Sequence, residues 1–71
     1  MNYIFLDNGF EEIEAITTID LLRRANIALT TVSVTNTQNV LGAHNIEVKA
    51  DTLFQDVDFS DAEMLILPGG A

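Results

Sequence analysis

Cysteine is absent from the 71-residue chain. No disulfide frame can staple the fold, and no thiol in this chain can act as nucleophile or metal ligand. Positive charge is scarce: three Lys and Arg residues face eleven Asp and Glu, for a formal net charge of −8. So few cations cannot neutralise a row of phosphates, which argues against nucleic acid and anionic membrane as partners. No apolar run approaches the length of a membrane span, and the apolar start is a short strand interrupted by Asp7, unlike a signal peptide. A cytoplasmic setting is the default expectation. No Gly-x-Gly-x-x-Gly follows a strand and no P-loop is present, so the nucleotide-binding fingerprints are missing. There is no internal repeat, low-complexity tract or linker.

What remains is ordinary globular composition, 48% hydrophobic. Tyr3-Ile4-Phe5-Leu6 reads as a buried strand, and the pattern predicts a helix from about Phe10 to Ala25. Arg23 and Arg24 suit its C-terminal dipole, with Asn26 as a left-handed cap. Residues 28–34 are rich in β-branched side chains and form a second strand. Strand, helix and strand make a βαβ unit with a right-handed crossover. Beyond a polar turn, 40–43 and 46–50 read as a hairpin around His44-Asn45. The stretch 51–61 is mostly loop, with Asp51 or Thr52 able to cap a single helical turn. Met64-Leu65-Ile66-Leu67 is a fully apolar strand that runs into Pro68-Gly69-Gly70-Ala71.

A largely parallel sheet needs cover on both faces, and only one helix is evident. A buried strand entering Pro-Gly-Gly is also how an α/β protein approaches a functional loop before its next helix. The expectation is that residues 1–71 form the N-terminal half of a single domain, rather than a complete miniature one.

The stretch Asn8-Gly9-Phe10-Glu11-Glu12-Ile13-Glu14 organises the rest. Asn8 with Glu11 fits a capping box, and Glu11, Glu12 and Glu14 sit where the helix dipole favours negative charge. On a helical wheel Ala15, Ile16, Ile19 and Leu22 form one apolar arc. Leu21 and Ala25 form a second. Glu14 falls between them with Thr18 on its stripe, while Asp20, Arg23 and Arg24 take the wet remainder. A helix apolar on two sides is packed on two sides, so Glu14 is expected to be partly desolvated. A glutamate placed for the dipole alone accounts for it equally well.

In an open parallel sheet the crevice lies beyond the carboxyl ends of the strands. That puts Glu14 near Gly69 and Gly70, whose backbone N–H groups a substrate oxygen can approach closely, as an oxyanion hole requires. On spacing alone, Pro-Gly-Gly fits a tight turn better. Asp7, Glu11, Glu12 and Glu14 suggest a hard cation, but three of them open a helix, where the dipole already explains them, so no metal is expected. His44 suits a surface or edge position better than a catalytic one. Thr17 and Thr18 suit back-bonding to the helix backbone.

Gly9-Phe10-Glu11-Glu12-Ile13-Glu14-Ala15, the helix Thr17 to Ala25, and the closing Leu67-Pro68-Gly69-Gly70 together resemble the ThiJ/PfpI superfamily. Within it they are most similar to the branch of the Parkinson-associated deglycase and its bacterial ThiJ-type relatives. The resemblance spans nearly the whole chain, in order and with similar spacing. It implies an α/β, flavodoxin-like fold, also described as class I glutamine amidotransferase-like, and a homodimer in which the first helix often takes part. It further implies a reactive cysteine on a strained strand-to-helix turn. Glu14 would match the glutamate that hydrogen-bonds this cysteine, and Gly69 and Gly70 the loop that lends N–H groups to the substrate oxygen. The cysteine, and the histidine often paired with it, lie beyond Pro-Gly-Gly, so the partner implied is a C-terminal remainder that carries them; His44 does not match that histidine. The activity implied is cysteine-dependent chemistry on small reactive aldehydes or their adducts, glyoxalase- or deglycase-like, with no metal or organic cofactor. The alternative is an oxidative-stress redox sensor or chaperone without turnover.

Overall fold

The computed structural model describes residues 1–70; Ala71, the last residue of the expected closing loop, lies outside the described residues. The chain begins with β1 (Asn2–Leu6), turns into α1 (Glu12–Arg24), and returns as β2 (Leu29–Ser33). The short strands β3 (Asn39–Leu41) and β4 (Glu47–Lys49) follow, then β5 (Thr52–Leu53), two 3₁₀ turns at Phe54–Asp56 and Phe59–Asp61, and β6 (Met64–Ile66). The main sheet has the order β5-β2-β1-β6, and β3 with β4 makes a separate pair.

β1 is central because every residue of it has a use on one face or the other. It pairs in parallel with β2, Ile4 opposite Thr31, and in parallel with β6, Ile4 opposite Ile66. Successive side chains of a strand point to opposite faces. Ile4 and Leu6 enter a core with Phe10, Ala15, Leu29 and Val40, and Ile19, Leu22, Val48 and Ile66 pack on its margin. Tyr3 and Phe5 turn the other way and meet Phe59, with ring centroids 4.8 and 5.5 Å away. The Tyr3 hydroxyl donates to Asp61 at 2.6 Å, and that bond to a carboxylate pushes the phenol up to about 12. The second face is therefore partly covered, by 3₁₀ turns and aromatic rings, where a doubly wound protein would place a helix; Leu65, level with Tyr3, stays exposed.

The helix stops as its sequence predicts. Asn26 adopts φ 60°, its N–H donates to the Arg23 carbonyl, and the Ile27 N–H reaches back to Leu22 at 2.9 Å. That is a Schellman ending, with asparagine in the left-handed position. The helix start differs from the expected capping box. The first helical residue is Glu12 and the cap is Glu11, with no side-chain capping bond. Asn8 lies too early in the chain to cap, and its Oδ1 accepts instead from the Leu41 N–H at 3.1 Å. β3 and β4 do pair as an antiparallel hairpin, with Val40 opposite Val48, and Val40 is fully buried under α1 and the sheet.

Nothing among the described residues covers Glu14, and a second layer or subunit, where the cover is expected, is not part of this chain. Glu14 is exposed, and on its stripe Leu21 is 60% exposed. α1 turns the stripe of Glu12, Ala15 and Ile19 toward the sheet and hairpin, and nothing among the described residues packs on the second arc. β6 forms an edge of the sheet, with Leu65 exposed on it and Leu67 beyond it 79% exposed.

Candidate functional site

Three segments converge where β1 ends. Asp7 and Phe10 close a turn, with the Phe10 N–H donating to the Asp7 carbonyl at 3.1 Å. Gly9 takes φ 91° within it, a conformation that suits glycine. The backbone from Gly9 to Glu11 then serves two neighbours at once. On one side, the Gly9 N–H donates to the Leu41 carbonyl at 2.8 Å, and the Phe10 carbonyl accepts from Ala43 at 2.9 Å. On the other, the Glu11 N–H donates to the Gly69 carbonyl at 2.8 Å, and Phe10 makes an antiparallel bridge with Gly70. Gly70 has φ 124°, and a Cβ there would lie 2.8 Å from Glu11 N and from Phe10 Cα. Only glycine fits.

Glu14 extends from the first turn of α1 toward this loop, and its Oε1 accepts the Gly69 N–H at 2.7 Å. Glu14, Gly69 and Gly70 thus share one edge of the molecule. The Gly69 N–H is directed at a carboxylate. Beside them opens a cleft of about 400 Å³ lined by Phe5, Phe10, Val34, Phe54 and Leu67, with Asp7 its one charged wall residue. The cleft stands at the carboxyl ends of β1 and β6, where open α/β sheets bind ligands.

A second carboxylate, not singled out by the sequence reading, is more deeply placed. Glu12 is 6% exposed. Its Oε2 accepts the His44 N–H at 2.7 Å and the Ile46 N–H at 3.4 Å, and its Oε1 meets His44 Nδ1 at 2.9 Å. Burial would push this carboxyl up, but the bonds from the His44 ring and from backbone N–H groups outweigh it and hold the group down at about 2. The same contact raises the His44 pKa, through the bond to Glu12 first and then the negative charges of Glu12 and Glu11. The His44 ring is 70% exposed, in keeping with a surface position. A signal for Glu12 did exist: it precedes Ala15, Ile16 and Ile19 by three, four and seven residues, on the apolar stripe itself.

Of the acids that suggested a hard cation, Glu11 and Glu12 gather with His44, their donor atoms within 4.8 Å of one another. Asp7 and Glu14 are not part of that group. Thr18 back-bonds to the Glu14 carbonyl at 2.8 Å, as expected for a mid-helix threonine.

A sequence model of the DJ-1/PfpI family matches residues 2–71. The chain belongs to the DJ-1/PfpI family. It is 41% identical over 63 residues to Protein DJ-1 homolog B of Arabidopsis thaliana, covering 89% of this chain and 14% of that protein. Among solved structures it is similar to oxidized Toxoplasma gondii DJ-1, with TM-score 0.91 and 35% identity, covering 96% of this chain and 37% of that one. A cysteine-to-alanine mutant of a DJ-1 superfamily protein from Salmonella typhimurium matches with TM-score 0.90 and 35% identity, again over 96% of this chain and 37% of that one. The DJ-1/PfpI chain described here therefore has the mostly parallel, flavodoxin-like sheet of these relatives, and spans well under half the length of each. Among the described residues no helix is long and apolar enough to cross a membrane.

Proposed function

We propose that this chain supplies the carboxylate side of a cysteine-dependent DJ-1/PfpI site that acts on small reactive aldehydes or their adducts. The observation that carries the reading is the 2.7 Å bond from the Gly69 N–H to Glu14 Oε1 at the mouth of the apolar cleft. The chain has no cysteine, so the thiol comes from a C-terminal remainder of the same domain, which would cover the exposed β6 edge. A thiolate there attacks the aldehyde carbon. A C–S bond forms as the carbonyl π pair moves onto oxygen, and the backbone N–H groups of Gly69 and Gly70 steady that negative charge. For Gly69 to take part, Glu14 must let go of its N–H. The carboxyl group that is released is then free to hold the thiol and to pass a proton to or from the adduct. With a 2-oxoaldehyde the adduct then loses the proton of its former aldehyde C–H and regains one on the neighbouring carbon, which turns the ketone into an alcohol and the adduct into a thioester. Water then cleaves the C–S bond, releasing the 2-hydroxy acid and the thiol. The balance needs no external oxidant, metal or organic cofactor.

The test is conversion of methylglyoxal to lactate by the protein assembled with its cysteine-bearing remainder. Glu14→Gln should lower kcat by about 100-fold or more, the usual reach of one acid–base group. Turnover unchanged by that substitution would sink the role given to Glu14. A redox-sensing reading draws support from the Toxoplasma relative, whose structure is of an oxidized form. It is favoured over turnover if methylglyoxal persists while peroxide oxidises the cysteine at a rate that depends on Glu14. The family's homodimer, with α1 at the contact, is part of the proposal and would cover Leu21 and its neighbours.

A further inference from the structure

Glu12 and Glu14 lie two residues apart and face different ways, so Glu12 cannot reach the Gly69 loop itself. It acts on the opposite flank. The Leu41–Ile46 turn is bound to residues 8–12 through Leu41 N–H to Asn8, Gly9 N–H to Leu41, Ala43 N–H to Phe10, and the Glu12 carboxylate. Gly42 shows how closely that turn is fitted, since a Cβ at Gly42 would lie 2.5 Å from Glu12 Cδ and 2.6 Å from its Cγ. Across the same backbone, Glu11 N–H holds the Gly69 carbonyl at 2.8 Å. Phe10 and Glu11 are therefore a shared strip. The hairpin fixes one edge of it, and the loop that bonds to Glu14 is registered on the other.

We propose that Glu12 is a positioning residue for the Glu14–Gly69 pair: by clamping the hairpin turn onto the start of α1 it fixes the Phe10–Glu11 backbone on which the Pro68–Gly70 loop is set. Two of the partners of Glu12 are the backbone N–H groups of His44 and Ile46, both on Oε2, and the third is the His44 ring nitrogen at Oε1. A carboxylate accepts from all three when the ring carries its proton on Nδ1. Glutamine could keep both backbone bonds by turning its NH₂ to the other tautomer of the ring, so removal of the clamp calls for alanine. The importance of this clamp rests on the reading of Glu14 and Gly69 as site residues, but its test reads geometry and not turnover, so the two can fail separately.

The experiment is ¹H–¹⁵N NMR of the labelled protein, following the Gly69 amide. A short bond to a carboxylate moves an amide proton downfield, and Glu14→Ala calibrates the position of Gly69 without that bond. In Glu12→Ala the Gly69 signal should travel about half or more of the way to that calibrated position, while Ile4 and Val32 in the core strands stay put. Glu12→Asp, which keeps the charge at the helix start but withdraws it by one methylene, should do the same. A Gly69 signal that stays at its wild-type position while His44 and Ile46 shift would overturn the proposal, since Glu12 would then hold only the hairpin. Equal collapse of Ile4, Val32 and Gly69 in both variants would also overturn it, because the residue would then support the whole fold and not this pair.

Discussion

The two flanks of the Gly9–Glu14 segment are built from the same materials and finished differently. Each has a glycine that a Cβ would not fit, Gly42 on the hairpin side and Gly70 on the loop side. Each has a glutamate of α1 accepting backbone N–H groups. On the hairpin side the carboxylate is buried and every donor near it is engaged. On the loop side the carboxylate is exposed, with one backbone partner, and stands beside a cleft. A fully satisfied buried ion is costly to disturb, whereas an exposed carboxylate with a single N–H contact can exchange that contact for another at small cost. The contrast divides structure from chemistry: Glu12 holds, and Glu14 is free to change partners.

The contrast can be broken from either flank, and the hairpin flank should give the larger response. In Gly42→Ala the new methyl group takes the space of the Glu12 carboxylate. The carboxylate must leave, and the His44 and Ile46 N–H groups lose their acceptor. Overpacking of this kind costs about 1–3 kcal/mol, and we expect the upper end. At roughly 4–8 °C per kcal/mol for a chain of this size, melting followed by circular dichroism should fall by at least about 10 °C. Gly70→Ala should be next. Its left-handed φ and backbone neighbours leave the loop no way to absorb a Cβ, at a local cost of about 1–3 kcal/mol. The damage should be confined to the loop, so the Gly69 and Glu11 amides lose protection from exchange while β1 and β2 keep theirs. A global loss of protection in Gly70→Ala would erase the difference between the flanks.

Acidity sharpens the comparison further, because the Glu12–His44 contact on the hairpin flank shifts both of its titrating groups. The Glu12 carboxyl is held down at about 2 from an ordinary 4.5. A lowered folded value contributes stability that is fully present above 4.5 and lost as pH falls toward 2. The His44 pKa is raised from 6.5, so its contribution is fully present below 6.5 and lost as pH rises through the folded value. The clamp should therefore be firmest between about 4.5 and 6.5. Melting measured across pH should show both limbs. Glu12→Gln should flatten both, and His44→Ala should remove the alkaline limb and shrink the acid one, because the ring is one of the donors that hold the Glu12 carboxyl down. An alkaline limb that persists in His44→Ala would assign that titration elsewhere.

Much of the frame was legible in the residues. The apolar runs at 3–6 and 64–67, the β-branched run at 28–34 and the left-handed Asn26 each follow from local chemistry, and their parallel pairing from the helix between them. What was hidden depends on tertiary partners. Asn8 looks like a cap until Leu41 claims its oxygen. Glu12 looks like a dipole residue, as Glu11 and Glu14 do, until a hairpin from thirty residues downstream supplies its donors. The placement of Glu12 on the apolar stripe was the one local sign, and the acidic run around it masked that sign. For Glu14 the wheel pointed to a covering layer, but the described residues leave that arc bare, since a periodic pattern tells that a face is apolar and not which segment covers it. The short β5 and the 3₁₀ turns at 54–61 carry too few residues for any period to emerge.

The smallest stability effect should come from the residue with the largest proposed role in chemistry. Glu14→Gln removes a charge from an exposed position, and one N–H loses a charged acceptor while a neutral one takes its place. Surface changes of this sort stay within about 0.5 kcal/mol, so the melting curve should barely move. The Gly69 amide should shift upfield all the same, because a neutral carbonyl polarises its N–H less than a carboxylate does. If Glu14→Gln instead lowered melting as far as Gly42→Ala, the exposed carboxylate would be bearing structural load. The two flanks would then be equivalent, and the freedom to exchange partners that the proposed chemistry asks of Glu14 would be lost.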